Sequence, residues 1–270
     1  MISAAVCCVP VSPLRSTPSH RAEMVSQLLF GDQCTILESA PDNWTKVRCD
    51  HDQYEGWCQQ GQLTTLRESL PATSYLTQQW VTGIKVDGKN MQVPLGCSIP
   101  GLKDKETVWG DMTVSCNEDL YTLTNRSSDE SLLNNKSRDA SIDENLLKQI
   151  AFKFLNTGYL WGGRSVFGVD CSGFCQVVYK FLGISLMRDA YQQATQGEVV
   201  GFLQEARVGD LAFFDNDEGR ITHVGILLND SEIIHSSVKV RIDRIDNMGI
   251  INSDTKLRTH KLRLIKRIIV

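Results

Sequence analysis

Phe174, Val177, Val178, Phe181 and Leu182 recur at i, i+3, i+4, i+7 and i+8, the stripe of one helical face, and Gly183 is placed to close that helix. A second stripe, Leu146, Leu147, Ile150, Ala151, Phe154 and Leu155, predicts an earlier helix with Gly158 just beyond it. Ser141 followed by Glu144 has the spacing of a capping box at its start. Ahead of these helices the pattern is that of short strands. Thr35-Ile36-Leu37, Trp44 to Arg48 and Gly56-Trp57-Cys58 are separated by Gly31-Asp32 and Pro41-Asp42-Asn43, which predicts a small β-barrel over residues 1–66. Gly83 to Val86, Asp87-Gly88 as a turn, Met91 to Val93 and Asp111 to Val114 repeat that character, giving a second, degenerate barrel over 67–125. A polar stretch, residues 126–140, reads as a linker. In the last part, 141–270, two helices precede strand-like runs at Leu211 to Phe214, His223 to Leu228 and Glu232 to Ser237. That is an α+β order rather than an alternating βαβ one.

Composition narrows the class. The 270 residues carry a net charge of −4, which provides no electrostatic footprint for nucleic acid. The Lys/Arg-rich tail (Lys256 to Arg267) alternates with leucines and reads as a half-exposed strand. No apolar run reaches the roughly 18 residues needed to span a bilayer, and Met1 to Pro10 makes a poor signal peptide. The expected compartment is therefore the cytoplasm, although a trimmed precursor of an exported protein would have the same composition. The nine cysteines lack zinc or redox spacing and read as buried reduced thiols. Oligomeric state has no signature in the sequence.

Chemistry concentrates at Asp170-Cys171-Ser172-Gly173, where Cys171 falls in the first turn of the predicted helix. Unpaired N–H groups and the helix dipole there are expected to draw a thiol from about 8.5 toward the roughly 3.5–7.5 range of reactive cysteines. A thiol nucleophile needs a base, and there are five histidines to choose from. His20 and His51 lie in the first barrel and His260 in the charged tail, whereas His223 and His235 sit on two runs joined by Asn229-Asp230-Ser231. With those three residues as the loop of a hairpin, Leu228 faces Glu232, Gly225 faces His235, and His223 lies diagonal to His235 on one face. A two-residue loop would throw them onto opposite faces. His223 is then the candidate base for Cys171, and His235 the residue that orients it.

Tyr159-x-Trp161-Gly162-Gly163, then Asp170-Cys171-Ser172-Gly173, Gly209-Asp210-Leu211 and His223-Val224-Gly225-Ile226 resemble the ordered motifs of the NlpC/P60 family of papain-like cysteine peptidases, over about 141–270. Residues Glu23, Ser26 to Asp32, Trp44 to Val47 and Tyr54 to Trp57 are similar to bacterial SH3-like (SH3b) domains. The resemblance implies an α+β papain-like catalytic domain preceded by two small all-β SH3-like barrels. It also implies hydrolysis of an amide bond in bacterial cell-wall (murein) peptides, with Cys171, His223 and His235 as nucleophile, base and orienting residue, and no metal or organic cofactor.

The whole-chain order is similar to that of the γ-D-glutamyl-L-diamino acid endopeptidases of this family, which cut before lysine or meso-diaminopimelate in peptides with a free N-terminal L-alanine, a cell-wall recycling activity. The resemblance implies that the first barrel closes one end of the cleft, and that Glu23, Tyr54 and Asp170 hold the substrate ammonium. Tyr159, Trp161 and Ser172 are then expected near the D-glutamate. A peptide still acylated by N-acetylmuramate has no such charge to offer, and would leave the acids unpaired. Two other readings use the same residues: an exported hydrolase tethered to intact wall by its SH3b domains, and a non-catalytic murein-peptide-binding protein.

Overall fold

The computed structural model describes residues 3–72, 75–123 and 142–268, so the predicted linker and Ser141 lie outside the described residues. The chain divides into two compact units. One holds the described residues up to 123 together with Trp161–Phe167, the other the remainder.

In the first unit, β1 (Ser3–Cys7), β2 (Val11–Arg15), β3 (Met24–Leu29), β4 (Gln33–Ala40), β5 (Trp44–Cys49), β6 (Glu55–Gln59) and β7 (Leu63–Thr65) form one sheet in the order β3-β2-β6-β5-β4-β1-β7. The β4–β5 hairpin turns where Pro41-Asp42-Asn43 was expected to turn it, with Asp42 and Asn43 both at positive φ (58° and 60°). Asp and Asn tolerate that region better than other non-glycine residues. Alternation along β5 buries Thr45, Val47 and Cys49, and the inward side chains of Ala5, Leu14, Leu28 and four cysteines (Cys7, Cys34, Cys49, Cys58) fill the core. All nine cysteines are free thiols, and all but Cys8 are buried.

Next come β8 (Tyr75–Thr77), β9 (Val81–Val86), β10 (Lys89–Pro94), β11 (Glu106–Trp109), β12 (Met112–Ser115) and β13 (Leu120–Thr122). Four of them make a sheet ordered β10-β9-β12-β11, and β13 pairs with β8. The boundary expected near residue 66 separates these sheets but not their cores. Trp109, fully buried, stacks obliquely on Phe30 at 4.9 Å, and Val6, Leu29 and Leu66 join Ile84, Val93, Cys97, Ile99 and Val114 in one cluster. The first set of strands keeps a core of its own, and this second cluster is shared by both sets, so they fall within a single compact unit.

The segment Trp161–Phe167, expected within the last domain, belongs to this first unit. It includes β14 (Arg164–Ser165). Arg164 is buried; its backbone N–H donates to Gln27 Oε1 at 2.7 Å, and its guanidinium donates to the Gln27 carbonyl at 2.7 Å and pairs with Asp32 at 3.4 Å. Gly162 has φ +76°, and a Cβ there would lie 2.4 Å from the Met24 carbonyl oxygen, so only glycine fits.

The second unit starts with α1 (Glu144–Lys153). The N-cap is Asp143, accepting from the Leu146 N–H at 3.0 Å; a carboxylate two residues closer to the stripe does what the capping box at Ser141 was expected to do. After β15 (Gly168–Val169) comes α2 (Cys171–Phe181), whose side chains Phe174, Val177, Val178 and Phe181 are essentially fully buried, each stabilising by about 1.5–3 kcal/mol. Gly183, φ +73°, ends α2 as expected, with its N–H on the Lys180 carbonyl and the Ile184 N–H on that of Tyr179. Then follow α3 (Ala190–Gln193) and the antiparallel strands β16 (Glu198–Val200), β17 (Leu211–Asp215), β18 (Ile221–Leu227), β19 (Glu232–Ser237), β20 (Lys239–Asp246), β21 (Gly249–Ile251) and β22 (Arg258–Arg267). Their order is β16-β22-β17-β18-β19-β20-β21, and β21 pairs back onto β22. Helix α2 packs on β18 and β19, which places its N-terminus over that sheet.

Candidate active site

Cys171 is the first residue of α2. The carboxylate of Asp170 caps the helix, accepting from the Gly173 N–H at 2.7 Å. The cysteine sulfur lies against the backbone N–H groups of Val224 and Ser172. The predicted hairpin is present with its predicted register: Ile226 faces Ile234, Leu227 faces Ile233, and the Leu228 N–H donates to the Glu232 carbonyl. Continuing that pairing sets Gly225 against His235, and a Cβ on Gly225 would lie 2.7 Å from the His235 Cβ. The missing side chain gives the His235 ring its room.

His223 and His235, both buried, are joined by a 2.8 Å hydrogen bond between His223 Nε2 and His235 Nδ1. Burial, reinforced by His235 and His260, holds the His223 imidazole well below the usual histidine range. It is therefore neutral near pH 7, the form a base requires.

The thiol departs from expectation. Burial, and after it the Asp170 carboxylate, pushes Cys171 up to about 12, outweighing the Val224 N–H, Arg188 and the Ser172 N–H. The dipole argument took the first turn as solvated, but Cys171 is only 6% exposed and stands beside an anion. The resting sulfur is a thiol and the His223 imidazole is neutral, so no ion pair is preformed. Alkylation by iodoacetamide should then accelerate by roughly tenfold per pH unit from pH 7 to 10, following the thiolate fraction. A rate already flat at neutral pH would mean that the thiolate exists at rest.

Three residues at the site were not assigned by sequence reasoning. Arg188, 1% exposed, grips Asp170 with both terminal nitrogens (Nη1 to Oδ1 at 3.1 Å, Nη2 to Oδ2 at 2.5 Å) and donates to Ser172 Oγ at 2.8 Å. Asp170, expected to face a substrate amine, thus carries an internal ion pair and a helix cap, and Ser172 is tied into the same network. Asp243, 2% exposed, accepts from His235 Nε2 at 3.0 Å. His260, set aside with the tail, stacks on His223 with ring centroids 4.2 Å apart and planes 27° from parallel. Burial and His235 lower it to about 4. It shares strand parity with Leu262 and Leu264, the one sequence signal that could have brought it inward. Arg188 lies in a connection with no periodicity, and Asp243 sits between Arg241 and Ile245 on its strand face, a row with no apolar alternation to mark it as inward.

The other expected residues are divided between the units. Tyr159, 37% exposed, is in the second unit; burial, then Cys171 and Asp170, raise its phenol well above the usual range, so it stays neutral. Trp161 is in the first, 61% exposed, with its indole N–H donating to Glu23 Oε1 at 2.7 Å. Tyr54 is half-buried there, its backbone N–H on Asp52 Oδ1 at 3.0 Å.

Comparison with known proteins gives two matches along the chain: residues 156–259 to the NlpC/P60 family, and residues 14–63 to the bacterial dipeptidyl-peptidase Sh3 domain. A γ-D-glutamyl-L-lysine dipeptidyl-peptidase of Bacillus subtilis (strain 168) is 31% identical over 229 residues, covering 78% of this chain and 71% of that protein. Dipeptidyl-peptidase 6 of Lysinibacillus sphaericus is 26% identical over 251 residues, covering 86% and 88%. The crystal structure of an NlpC/P60 family protein from Bacillus cereus ATCC 10987 superimposes with a TM-score of 0.78 at 19% identity, covering 99% of this chain and 100% of that one, a likeness of fold.

Proposed function

This chain belongs to the NlpC/P60 family of cysteine peptidases, and on that premise we propose that it hydrolyses the γ-D-glutamyl to L-diamino acid bond of short murein peptides, the diamino acid being lysine or meso-diaminopimelate. The observation that carries this reading is the resemblance, over both the Sh3 and the catalytic portions, to the B. subtilis enzyme named for γ-D-glutamyl-L-lysine. No helix among the described residues is long and apolar enough to cross a membrane.

In this reading Cys171 is the nucleophile, His223 its base and His235 the orienting residue. With the thiol protonated at rest, attack and deprotonation coincide. The S–H proton passes to His223 as sulfur adds to the γ-carbonyl carbon of D-glutamate, and the carbonyl electrons move to oxygen. The Cys171 backbone N–H, at the start of α2 where a helix leaves its first N–H groups without intrahelical partners, is the candidate donor to that oxyanion. His223 then returns the proton to the departing amine, and water activated by the same ring hydrolyses the thioester.

Recognition of a free L-alanine amine is assigned to Glu23, Tyr54 and Asp170, with Tyr159, Trp161 and Ser172 toward D-glutamate. Because Arg188 balances Asp170, the charge that selects an ammonium falls mainly to Glu23, which is exposed and held by Trp161. Recycling of trimmed peptides in the cytoplasm is the setting that fits such a requirement. Mass spectrometry of L-Ala-γ-D-Glu-L-Lys, its diaminopimelate counterpart and their N-acetylmuramoyl forms tests all of this. Cleavage of the free peptides alone is expected. Equal cleavage of the muramoyl forms would overturn amine selection in favour of an enzyme for intact wall, and cleavage of none would overturn the substrate.

A further inference from the structure

The two-histidine arrangement leaves one question of proton bookkeeping: a neutral imidazole has one N–H, and His223 can act as base only with the nitrogen that lacks it. His223 Nε2 is engaged by His235 Nδ1 at 2.8 Å, so Nδ1 is the nitrogen left for the thiol. Whether it is bare depends on His235, whose own proton can sit on either side. Were it on His235 Nδ1, it would point at His223 Nε2, forcing the His223 proton onto Nδ1 and abolishing the base.

We propose that Asp243 is a positioning residue that fixes this choice: its carboxylate holds the His235 proton on Nε2, which makes His235 Nδ1 an acceptor, keeps the His223 proton on Nε2, and leaves His223 Nδ1 free to take the Cys171 proton. The geometry is built for an acceptor. Asp243 Oδ2 lies 3.0 Å from His235 Nε2, while Oδ1 accepts from the Ser253 N–H at 2.8 Å and from Arg241 Nη2 at 2.9 Å. Arg241 Nε is also 2.9 Å from Oδ2, and Arg241 extends to Asp254 at 3.0 Å. Burial alone would favour the neutral acid, but hydrogen bonds from His235, Ser253 and Arg241 keep the carboxyl well below its usual range. An ionised carboxylate has no proton to give, so the donor in the His235 contact is the imidazole.

The ionisable groups against the pair are Asp243 on β20, with Arg241 behind it, and His260 on β22. His260 presents a ring face to His223 and takes no place in this chain of hydrogen bonds. Across acylation the S–H bond breaks, its electron pair becomes the new S–C bond, and the proton sits on His223 Nδ1. The resulting imidazolium still donates through Nε2 to His235, so no second proton has to move.

The inference rests on Cys171 and His223 as nucleophile and base, and its test begins without substrate. Long-range ¹H–¹⁵N spectra of the histidine side chains in the full-length protein, between pH 7 and 8, should show both His223 and His235 as Nε2–H tautomers. A His235 proton on Nδ1 overturns the proposal irrespective of what the enzyme cleaves. In Asp243→Asn the amide can turn its NH₂ to His235 Nε2; both tautomers should then invert, and kcat should fall about 10²-fold or more with KM unchanged, as when other triads lose their tautomer-fixing acid. If Asp243→Asn keeps the wild-type tautomers and kcat, the carboxylate does not set the proton. If that variant does not fold, the wild-type spectrum alone decides. Failure of the assigned peptide substrate would leave the tautomers as stated, so the two failures are told apart.

Discussion

Cys171→Ala should abolish hydrolysis of the free murein peptides, with kcat down on the order of 10⁶-fold, while the peptide still binds. The sulfur is buried against the Val224 and Ser172 N–H groups, and the methyl group of alanine puts no nucleophile in its place. His223→Ala should cost nearly as much. The double variant should be no worse than the worse single one, because nucleophile and base act as a unit. Stopped assays of product, with calorimetry for peptide binding, measure both quantities. Residual turnover in Cys171→Ala near the wild-type rate would mean that the chemistry lies elsewhere, and unchanged properties throughout would favour a peptide-binding protein.

Arg188→Leu should destabilise the catalytic unit by about 3–5 kcal/mol, the typical cost of stranding one half of a buried ion pair. The loss is large because Asp170 is 6% exposed and Arg188 holds both of its carboxylate oxygens. It should also slow alkylation of Cys171, since an unbalanced Asp170 carboxylate raises a thiol that is already high, whereas Arg188 lowers it. Adding Asp170→Asn to Arg188→Leu removes the stranded charge and leaves an amide oxygen to cap α2 at the Gly173 N–H, so most of the stability should return. Denaturant unfolding of the three variants checks this. A double variant no more stable than Arg188→Leu would show that the guanidinium contributes by packing rather than by charge.

How far the sequence carries depends on whether a feature is local. The α2 stripe, the Gly183 stop, the Asp42-Asn43 turn and the Asn229-to-Ser231 hairpin with Gly225 against His235 are each set by neighbours within about ten residues, and all are present as expected. The site is legible where its residues are adjacent in sequence or lie on one hairpin. It fails where a partner comes from afar. Arg188 reaches Asp170 across 18 residues from an irregular connection, and His260 reaches His223 from the last strand. The thiol expectation fails for a related reason. A helix start is a local feature, but the burial that raises Cys171 is tertiary. The boundary expected near residue 66 came from strand spacing, which marks where one sheet ends but carries no sign of the cluster that Phe30 and Trp109 share across it.

A protonated, enclosed sulfur also has a bearing on chemical durability. Peroxide attacks thiolates, and the ladder from sulfenic to sulfonic acid begins with that form. Held as S–H until a carbonyl arrives, with Cys175 one turn below it equally buried, Cys171 presents oxidants with a poor target. Such a site exchanges the standing reactivity of an ion-paired cysteine for slower oxidation between turnovers.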